Sequence, residues 1–481
     1  MPERRIYLLS PRKLSPETIA VAFAKTSRSP ETFDAIAAGL TDDKSAKFHE
    51  KWVVGYGHAS VAEHAVLHVA FENVSRVAVE TIESNRLASY TEKSTRYQRW
   101  EPDAFHTPAE LQGHPLLDEY IRTCKRLFDT YRACLNPVRD LVVQRTPPRD
   151  GEAAEAVDRR VRSQYVDVCR FLLPASALAN VGMTANARVL EHAISKLLSH
   201  ELQEAREIGL QLKDVAQAEV PTLVKYAESA AYVEETSRAL QRIGPAVPRT
   251  ETVEDQPSSE CVLVDFDPDT EDSVLAAAVY RFDKRPYSVC LQYVRTLPAD
   301  ERRRLAAEVL GRLGPHDIPL RELEYGSYMF DLLMDQGAYA EFKRHRMMTQ
   351  TPQLLTAELG YSTPRLMAEA GLASGYADAM DAASRTYAKL RDVSPQVAQY
   401  AVPNGFRRRV LARFNLREAY AFCELRTAPN AHFSIRKVAA AVAEQIRRVH
   451  PLLANYMRLG GETSVGVQSE HFADSPTSSP D

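Results

Sequence analysis

Hydrophobic positions along the chain switch between two rhythms. Residues 5–9 (Arg-Ile-Tyr-Leu-Leu) and 64–72 (His-Ala-Val-Leu-His-Val-Ala-Phe-Glu) are short, partly alternating and rich in β-formers, which predicts strands. Around 16–25, 42–55 and 76–90 the apolar residues recur at helical spacing. A long amphipathic helix is predicted over 115–133, with further helices over 153–172, 184–216 and 220–229. Residues 243–260 then turn rich in Pro, Ser and acids, with little to bury, and read as a linker.

Beyond it the order begins again. A strand is predicted at 261–266, helices at 270–281 and 298–313, a strand near 325–333 and a helix through 336–346. Long helices follow at 367–391, 407–425 and 431–447. Both halves thus run strand, helices, strand, motif-bearing helix, long helices. A spacing of about 260 residues is too long for a solenoid and points to a duplicated domain. The predicted fold is α/β of the α+β kind, helix-rich, with two similar domains at 1–242 and 261–466, each a small sheet with long helices. A Ser/Pro/Asp-rich disordered tail is expected over 467–481. The anchors of the repeat are Ser84-Asn85-Arg86 against Arg344-His345-Arg346, and Asn186-Ala187-Arg188 against Asn415-Leu416-Arg417.

Composition narrows the picture. A chain of 481 residues exceeds one comfortable core and suits two domains. The net charge of −4 gives no reason to expect nucleic acid. Arg302-Arg303-Arg304 and Arg407-Arg408-Arg409 read as solvated helix faces, with a basic phosphate pocket as the other reading. No apolar run is long enough to span a membrane. Six scattered cysteines without a CxxC pair read as reduced thiols of a cytoplasmic protein.

Four segments carry candidate chemistry. Gly57-His58-Ala59-Ser60-Val61-Ala62-Glu63-His64 admits three readings: metal ligands, helix capping, or a polar lip around a cofactor. Glu92, Ser94 and Arg96 alternate along a loop, with Tyr97 next, and an arginine fork beside a hydroxyl is what a phosphate needs. Lys343-Arg344-His345-Arg346 at a helix end either balances the helix dipole or grips a polyanion. Arg417 and Arg426, nine residues apart, cannot share one face of a straight helix. There is no GxGxxG, P-loop, GxSxG or HExxH sequence.

Taken together, these segments resemble the flavin-dependent thymidylate synthase family. Its pattern of GHxSxxEH, a helix ending in RHR, a serine-arginine-tyrosine loop, ARxxLP, NAR and a late arginine is divided unequally here. The first half has Gly57-His58 to His64, Ser94 to Tyr97, Arg170 to Pro174 and Asn186-Ala187-Arg188; the second has Arg344-His345-Arg346, Pro403, Asn415-Leu416-Arg417 and Arg426. The resemblance implies FAD as cofactor, with NADPH and methylenetetrahydrofolate as co-substrates for methylating dUMP. It also implies a homodimer standing in for the family's tetramer. Residues at the flavin would be His58, Ser60, Arg86, Glu92, Asn186, Arg188, Arg344, His345, Arg346, Asn415 and Arg417. Residues at dUMP or a related pyrimidine nucleotide would be Glu92, Ser94, Arg96, Arg170, Arg344 and Arg426, with Arg426 as the catalytic cation opposite the ionised uracil.

The departures are complementary. Ser84-Asn85 replaces Arg-His in the first half, where Lys196 or Leu197 stands near the late-arginine position. In the second half Leu354 replaces the loop serine, Gln399 replaces Arg170, and the GHxSxxEH counterpart, Pro319 to Tyr325, keeps only Glu324. The family glutamine three residues before RHR is Thr81 in one half and Glu341 in the other. One composite site is therefore expected, in which Glu92, Ser94, Arg96 and Arg170 meet Arg344, His345, Arg346 and Arg426. The rival expectation is a catalytically inactive protein kept for binding or structure, and a third is an enzyme modifying another pyrimidine.

Overall fold

The computed structural model describes residues 7, 9–26, 29–56, 58–96, 98–244 and 259–473. They form a helix-rich α+β protein with two small antiparallel sheets. The chain folds into two compact units. One comprises Met1–Ser94, Phe105–Leu117 and Ser176–Glu251; the other comprises Thr95–Ala104, Asp118–Ala175 and Thr252–Asp481. Division at the linker alone does not describe this arrangement, because residues 118–175 join the unit built by the second half. The linker itself lies almost wholly outside the described residues, as does most of the strand predicted at 5–9.

In the first unit, strands β1 (Val66–Ser75), β2 (Ser89–Glu92) and β3 (Leu178–Asn186) make a sheet of order β1-β3-β2. Ser75 caps the helix Arg76–Ile82 by accepting from the Ala78 N–H at 3.0 Å. Ala179, Val181, Met183 and Ala185 of β3 are buried, and so is the apolar stripe Val189, Leu190, Ile194 and Leu197 of the helix Ala187–Leu198.

The second unit repeats this connectivity. Strands β4 (Cys261–Phe266), β5 (Ser327–Asp335), β6 (Thr349–Pro352) and β7 (Arg407–Asn415) lie in the order β4-β5-β7-β6. Asp335 caps the helix Gln336–Phe342 as Ser75 caps its counterpart. The triplets Ser84-Asn85-Arg86 and Arg344-His345-Arg346 both fall in the turn after those helices, which end at residues 82 and 342 rather than at 90 and 346 as predicted.

Corresponding segments also meet each other within the second unit. Pro174 bridges Pro403, the Ala175 N–H donates to Val402 O at 2.9 Å and the Asn404 N–H to Leu173 O at 3.0 Å. The long helices Leu117–Arg145 and Ala373–Val393 join hydroxyls through Thr123 and Thr386, 2.8 Å apart. These contacts draw residues 118–175 into this unit.

Four expectations are corrected. Residues 178–186 and 407–415 are the central strands of their sheets, where helices were predicted over 184–216 and 407–425. In β7 the alternation is masked by arginines: Arg408, Val410, Ala412 and Phe414 are buried while the intervening side chains point away. Arg408 lies over the Tyr339 ring at 4.4 Å and donates to Gln336 Oε1 at 3.0 Å, so the Arg407 cluster is no solvated helix face. Residues 220–229 form turns instead of a helix. The disorder expected over 467–481 does not hold for 467–471, which lie in the helix Ser464–His471 with Val467 buried; residues 474–481 lie outside the described set.

Phe414, 3% exposed, stacks on Phe330 at 5.5 Å, whereas Leu411 on the other face of β7 is 42% exposed. Phe414→Ala should therefore cost about 3–5 kcal/mol in denaturant unfolding, and Leu411→Ala no more than about 0.5 kcal/mol. Equal losses would contradict the strand.

Candidate functional site

The second unit gathers a buried network of charges from both halves of the chain. Arg96 donates to Asp167 through Nε and Nη2, each at 2.8 Å, and through Nη1 to Asn430 O at 3.0 Å. One turn past Asp167, Arg170 has a side chain only 2% exposed. Its Nη1 donates to Thr95 Oγ1 at 3.1 Å and its Nη2 to Gly337 O at 3.2 Å, and Nη2 lies 3.6 Å from Glu341 Oε1. Glu341 Oε2 accepts from Arg426 Nη1 at 2.9 Å. Arg426 Nε donates to His345 Nε2 at 3.1 Å, while His345 Nδ1 lies 3.1 Å from Glu418 Oε1.

This geometry assigns the His345 tautomer. Nε2 accepts from Arg426, so Nδ1 carries the proton and donates to Glu418. Burial lowers the ring's pKa, the Glu418 hydrogen bond opposes the shift, and Arg426 reinforces it. Burial likewise lowers the pKa of Arg170 and raises that of Asp167, whose charged form Arg96 supports. Arg426, with its pKa also lowered by burial, feels Glu341, Arg344 and Arg96 as its nearest charges. Of the expected composite set, Arg96, Arg170, His345 and Arg426 are thus brought together. Arg344 is exposed and Arg346 half-buried on the neighbouring turn. Tyr97 lies outside the described residues.

The first unit holds the matching positions in different chemistry. Lys196 Nζ donates to Ser84 Oγ at 2.9 Å and to Asn85 Oδ1 at 3.1 Å, as Arg426 reaches His345. Of the two candidates for the late-arginine position, Lys196 makes these contacts, while Leu197, eleven residues after Asn186 as Arg426 is after Asn415, is core. Glu92 is buried and pairs with Arg76 at 2.8 Å. Ser94 is the last residue of that unit's opening segment, and Arg86 is exposed on its turn.

Other predicted flavin contacts have local partners. Asn186 and Asn415 cap the helices that follow them, accepting from the N–H groups of Val189 at 3.0 Å and Glu418 at 2.9 Å. Arg188 pairs with Glu63 at 2.5 Å and Arg417 with Glu324 at 2.9 Å, so each half joins its NAR-type arginine to the surviving glutamate. His58 and Ser60 are exposed, and His64 packs on Phe23 at 5.0 Å. Glu63 is thus held by Arg188 and His64 by Phe23, and His58 at the start of the short helix Ala59–His64 makes no side-chain capping bond.

Sequence reasoning missed Asp167, Thr95, Glu418 and His432 and undervalued Glu341. Asp167 carried a readable signal: it is an acid on the buried stripe of the helix Ala154–Cys169, and such a group needs a partner. Beside this network a cavity of about 430 Å³ is lined by Arg96, Asp167, Arg159, Phe433, Arg436 and His471 among others. All six cysteines are buried, and burial pushes the Cys134 and Cys261 thiols up to about 11 and about 12.

The family model described as thymidylate synthase complementing protein matches residues 10–222 and 262–452. The chain belongs to the thymidylate synthase complementing protein family. It is 30% identical over 447 residues to a UPF0159 protein of Chlamydia muridarum, covering 88% of this chain and 83% of that one. It is 28% identical over 463 residues to a UPF0159 protein of Thermoplasma acidophilum, covering 86% and 89% respectively. It is also 28% identical over 198 residues to the flavin-dependent thymidylate synthase of Thermococcus kodakarensis, 40% of this chain and 71% of that enzyme. The UPF0159 similarity runs nearly full length, while the named synthase matches a single-domain length. No helix among the described residues is long and apolar enough to cross a membrane.

In this member of the thymidylate synthase complementing protein family, His432 ties the network to the helix Phe433–Val449. The Ser434 N–H donates to its Nδ1 at 3.1 Å, so Nε2 bears the proton and donates to Asp167 O at 3.1 Å. Burial holds its pKa well below 6.5. The unfolded chain therefore takes up the proton first. The stability His432 contributes is whole above about pH 6.5 and lost as the pH falls through the lower folded value. The melting temperature of wild type should drop more between pH 7 and pH 5 than that of His432→Asn, which keeps a capping acceptor. Parallel curves would contradict this assignment.

Proposed function

We propose that the protein is a flavin-dependent thymidylate synthase-like enzyme that converts dUMP to dTMP with methylenetetrahydrofolate and NADPH. Its site would be built in the second unit from both halves of a duplicated chain. The observation that carries the reading is the cluster in which Arg170 and Arg426 share Glu341, Arg426 meets His345, and Arg96 is held on Asp167, one turn before Arg170. Those residues carry the family's substrate contacts on opposite halves of the sequence. The pairing of Pro174 with Pro403 and of the helices bearing Thr123 and Thr386 supports duplication, because corresponding segments of the two halves meet each other.

A pyrimidine nucleotide presents a dianionic phosphate and a ring that gains negative charge as its N3 proton leaves. Arg96, oriented by Asp167, borders the cavity and would bring its positive charge to the phosphate. Arg426, steered by neutral His345, supplies a fixed cation where the ring's charge develops. The exposed Arg344 and half-buried Arg346 suit the phosphates of FAD, as Arg86 does on the first unit. When bound, the flavin supplies the hydride, and the protein's part is positioning, charge and exclusion of water. We place the activity in the cytoplasm and the assembly at a homodimer; nothing in this reading calls for a metal, a nucleic acid or a membrane.

A second reading, an inactive nucleotide- or flavin-binding protein, is favoured by one observation: Glu341, in place of the family glutamine, engages Arg426. Purified protein separates the two. The enzyme reading predicts a yellow protein that releases tritium from 5-tritiated dUMP only with NADPH and methylenetetrahydrofolate. It also predicts rescue of a thymidine-requiring host, with Arg426→Ala lowering turnover by about 10²–10³ and Arg96→Ala chiefly raising KM. A colourless protein that cannot be loaded with FAD and releases no tritium leaves only the second reading.

A further inference from the structure

We infer that Glu341 is a built-in anion: its carboxylate lies between Arg170 and Arg426 where an anionic ligand group would sit, and it sets how tightly the site holds phosphate. The inference rests on the site described above and deepens that reading, but it does not depend on the chemistry performed there.

The two oxygens of Glu341 are held unequally. Oε2 accepts from Arg426 Nη1 at 2.9 Å, while Oε1 is buried without a hydrogen bond, 3.6 Å from Arg170 Nη2. One side of the carboxylate is therefore retained by charge alone. The same helix, Gln336–Phe342, engages Arg170 a second time through Gly337 O, so the anion is carried on a fixed element. Arg426 also receives repulsion from Arg96 and Arg344. Arg170 and Arg426 thus lie among the further cations Arg96 and Arg344 and the carboxylates of Asp167, Asp335 and Glu341. Replacing Glu341 by a neutral residue removes the one carboxylate that Arg170 and Arg426 share.

The first unit provides an internal control. Its residue at the matching position is Thr81, and there Lys196 meets a hydroxyl and an amide oxygen, not a carboxylate. The acid is thus confined to the copy that carries the arginine. A like charge a few ångströms from a bound phosphate repels it strongly in a partly buried site. The charge of Glu341 opposes a phosphate held by this group of cations, whereas a neutral pyrimidine nucleoside meets no such repulsion.

The test is titration calorimetry at fixed ionic strength, with inorganic phosphate, dUMP and deoxyuridine as separate probes, on wild type and Glu341→Gln. We expect phosphate to bind at least about tenfold more tightly to the variant, with deoxyuridine little changed. Glu341→Gln/Arg170→Gln keeps the buried charges balanced should the single variant unfold, and it too should gain, because Arg426 loses its carboxylate. Phosphate affinity within twofold of wild type in a folded variant overturns the inference. The dUMP titrations keep the two readings distinct. A gain for phosphate with no dUMP binding in any form upholds the built-in anion and sinks the synthase reading. Binding of dUMP without a phosphate gain does the reverse.

Discussion

Two guanidinium groups taken out of water repel each other and lose hydration, and they are tolerated only with an anion among them. In this protein Glu341 meets that demand for Arg170 and Arg426, as Asp167 does for Arg96. The constraint reaches beyond the charges. Arg170 follows the helix Ala154–Cys169, Glu341 closes the helix Gln336–Phe342, and Arg426 closes the helix Leu416–Thr427. Matching the charges requires these elements, far apart in sequence, to pack as one. The polar contacts of residues 170–175 with 402–405 then fix their register. Breaking one side of such a set leaves a buried charge uncompensated, so the network specifies the arrangement as well as the chemistry.

Repetition and divergence sit side by side. The ion pairs Glu63–Arg188 and Glu324–Arg417, and the caps Asn186 and Asn415, are the same devices used twice. They maintain the turn between strand and helix in each copy and have local work that requires no ligand. Divergence falls on three positions that act together. In the second unit Glu341, His345 and Arg426 form a hydrogen-bonded chain; in the first, Lys196 meets Asn85, and Thr81 precedes Ser84 as Glu341 precedes Arg344. A cation is kept both times, but only one copy surrounds it with an ionised partner and a buried imidazole.

Much of this was legible in the sequence. The motif residues, their order and the complementary losses led to the expectation of one composite site, and helix starts such as Pro16 and Asp42 followed from the apolar period. The central strands were not legible as strands. In Arg407–Asn415 four arginines hide the alternation, and the burial of Arg408 depends on Gln336 and the Tyr339 ring, distant in sequence. In Leu178–Asn186 small residues alternate with polar ones too weakly to outweigh the strong helix beyond. The unit boundary was invisible for a related reason: it follows contacts such as Thr123 with Thr386, which no local pattern announces. Glu341 stood out in the sequence as the acid in place of the family glutamine, but Asp167 looked like an ordinary acid on a helix until the guanidinium group facing it was located.

The central claim, that cations from both copies serve one ligand in the second unit, is tested most directly by a crystal structure of the protein soaked with dUMP. The account predicts density with the phosphate hydrogen-bonded to Arg96 and the pyrimidine facing Arg426. Nucleotide density found only beside Arg76 and Glu92 of the first unit, with Arg96 and Arg426 untouched, would contradict it.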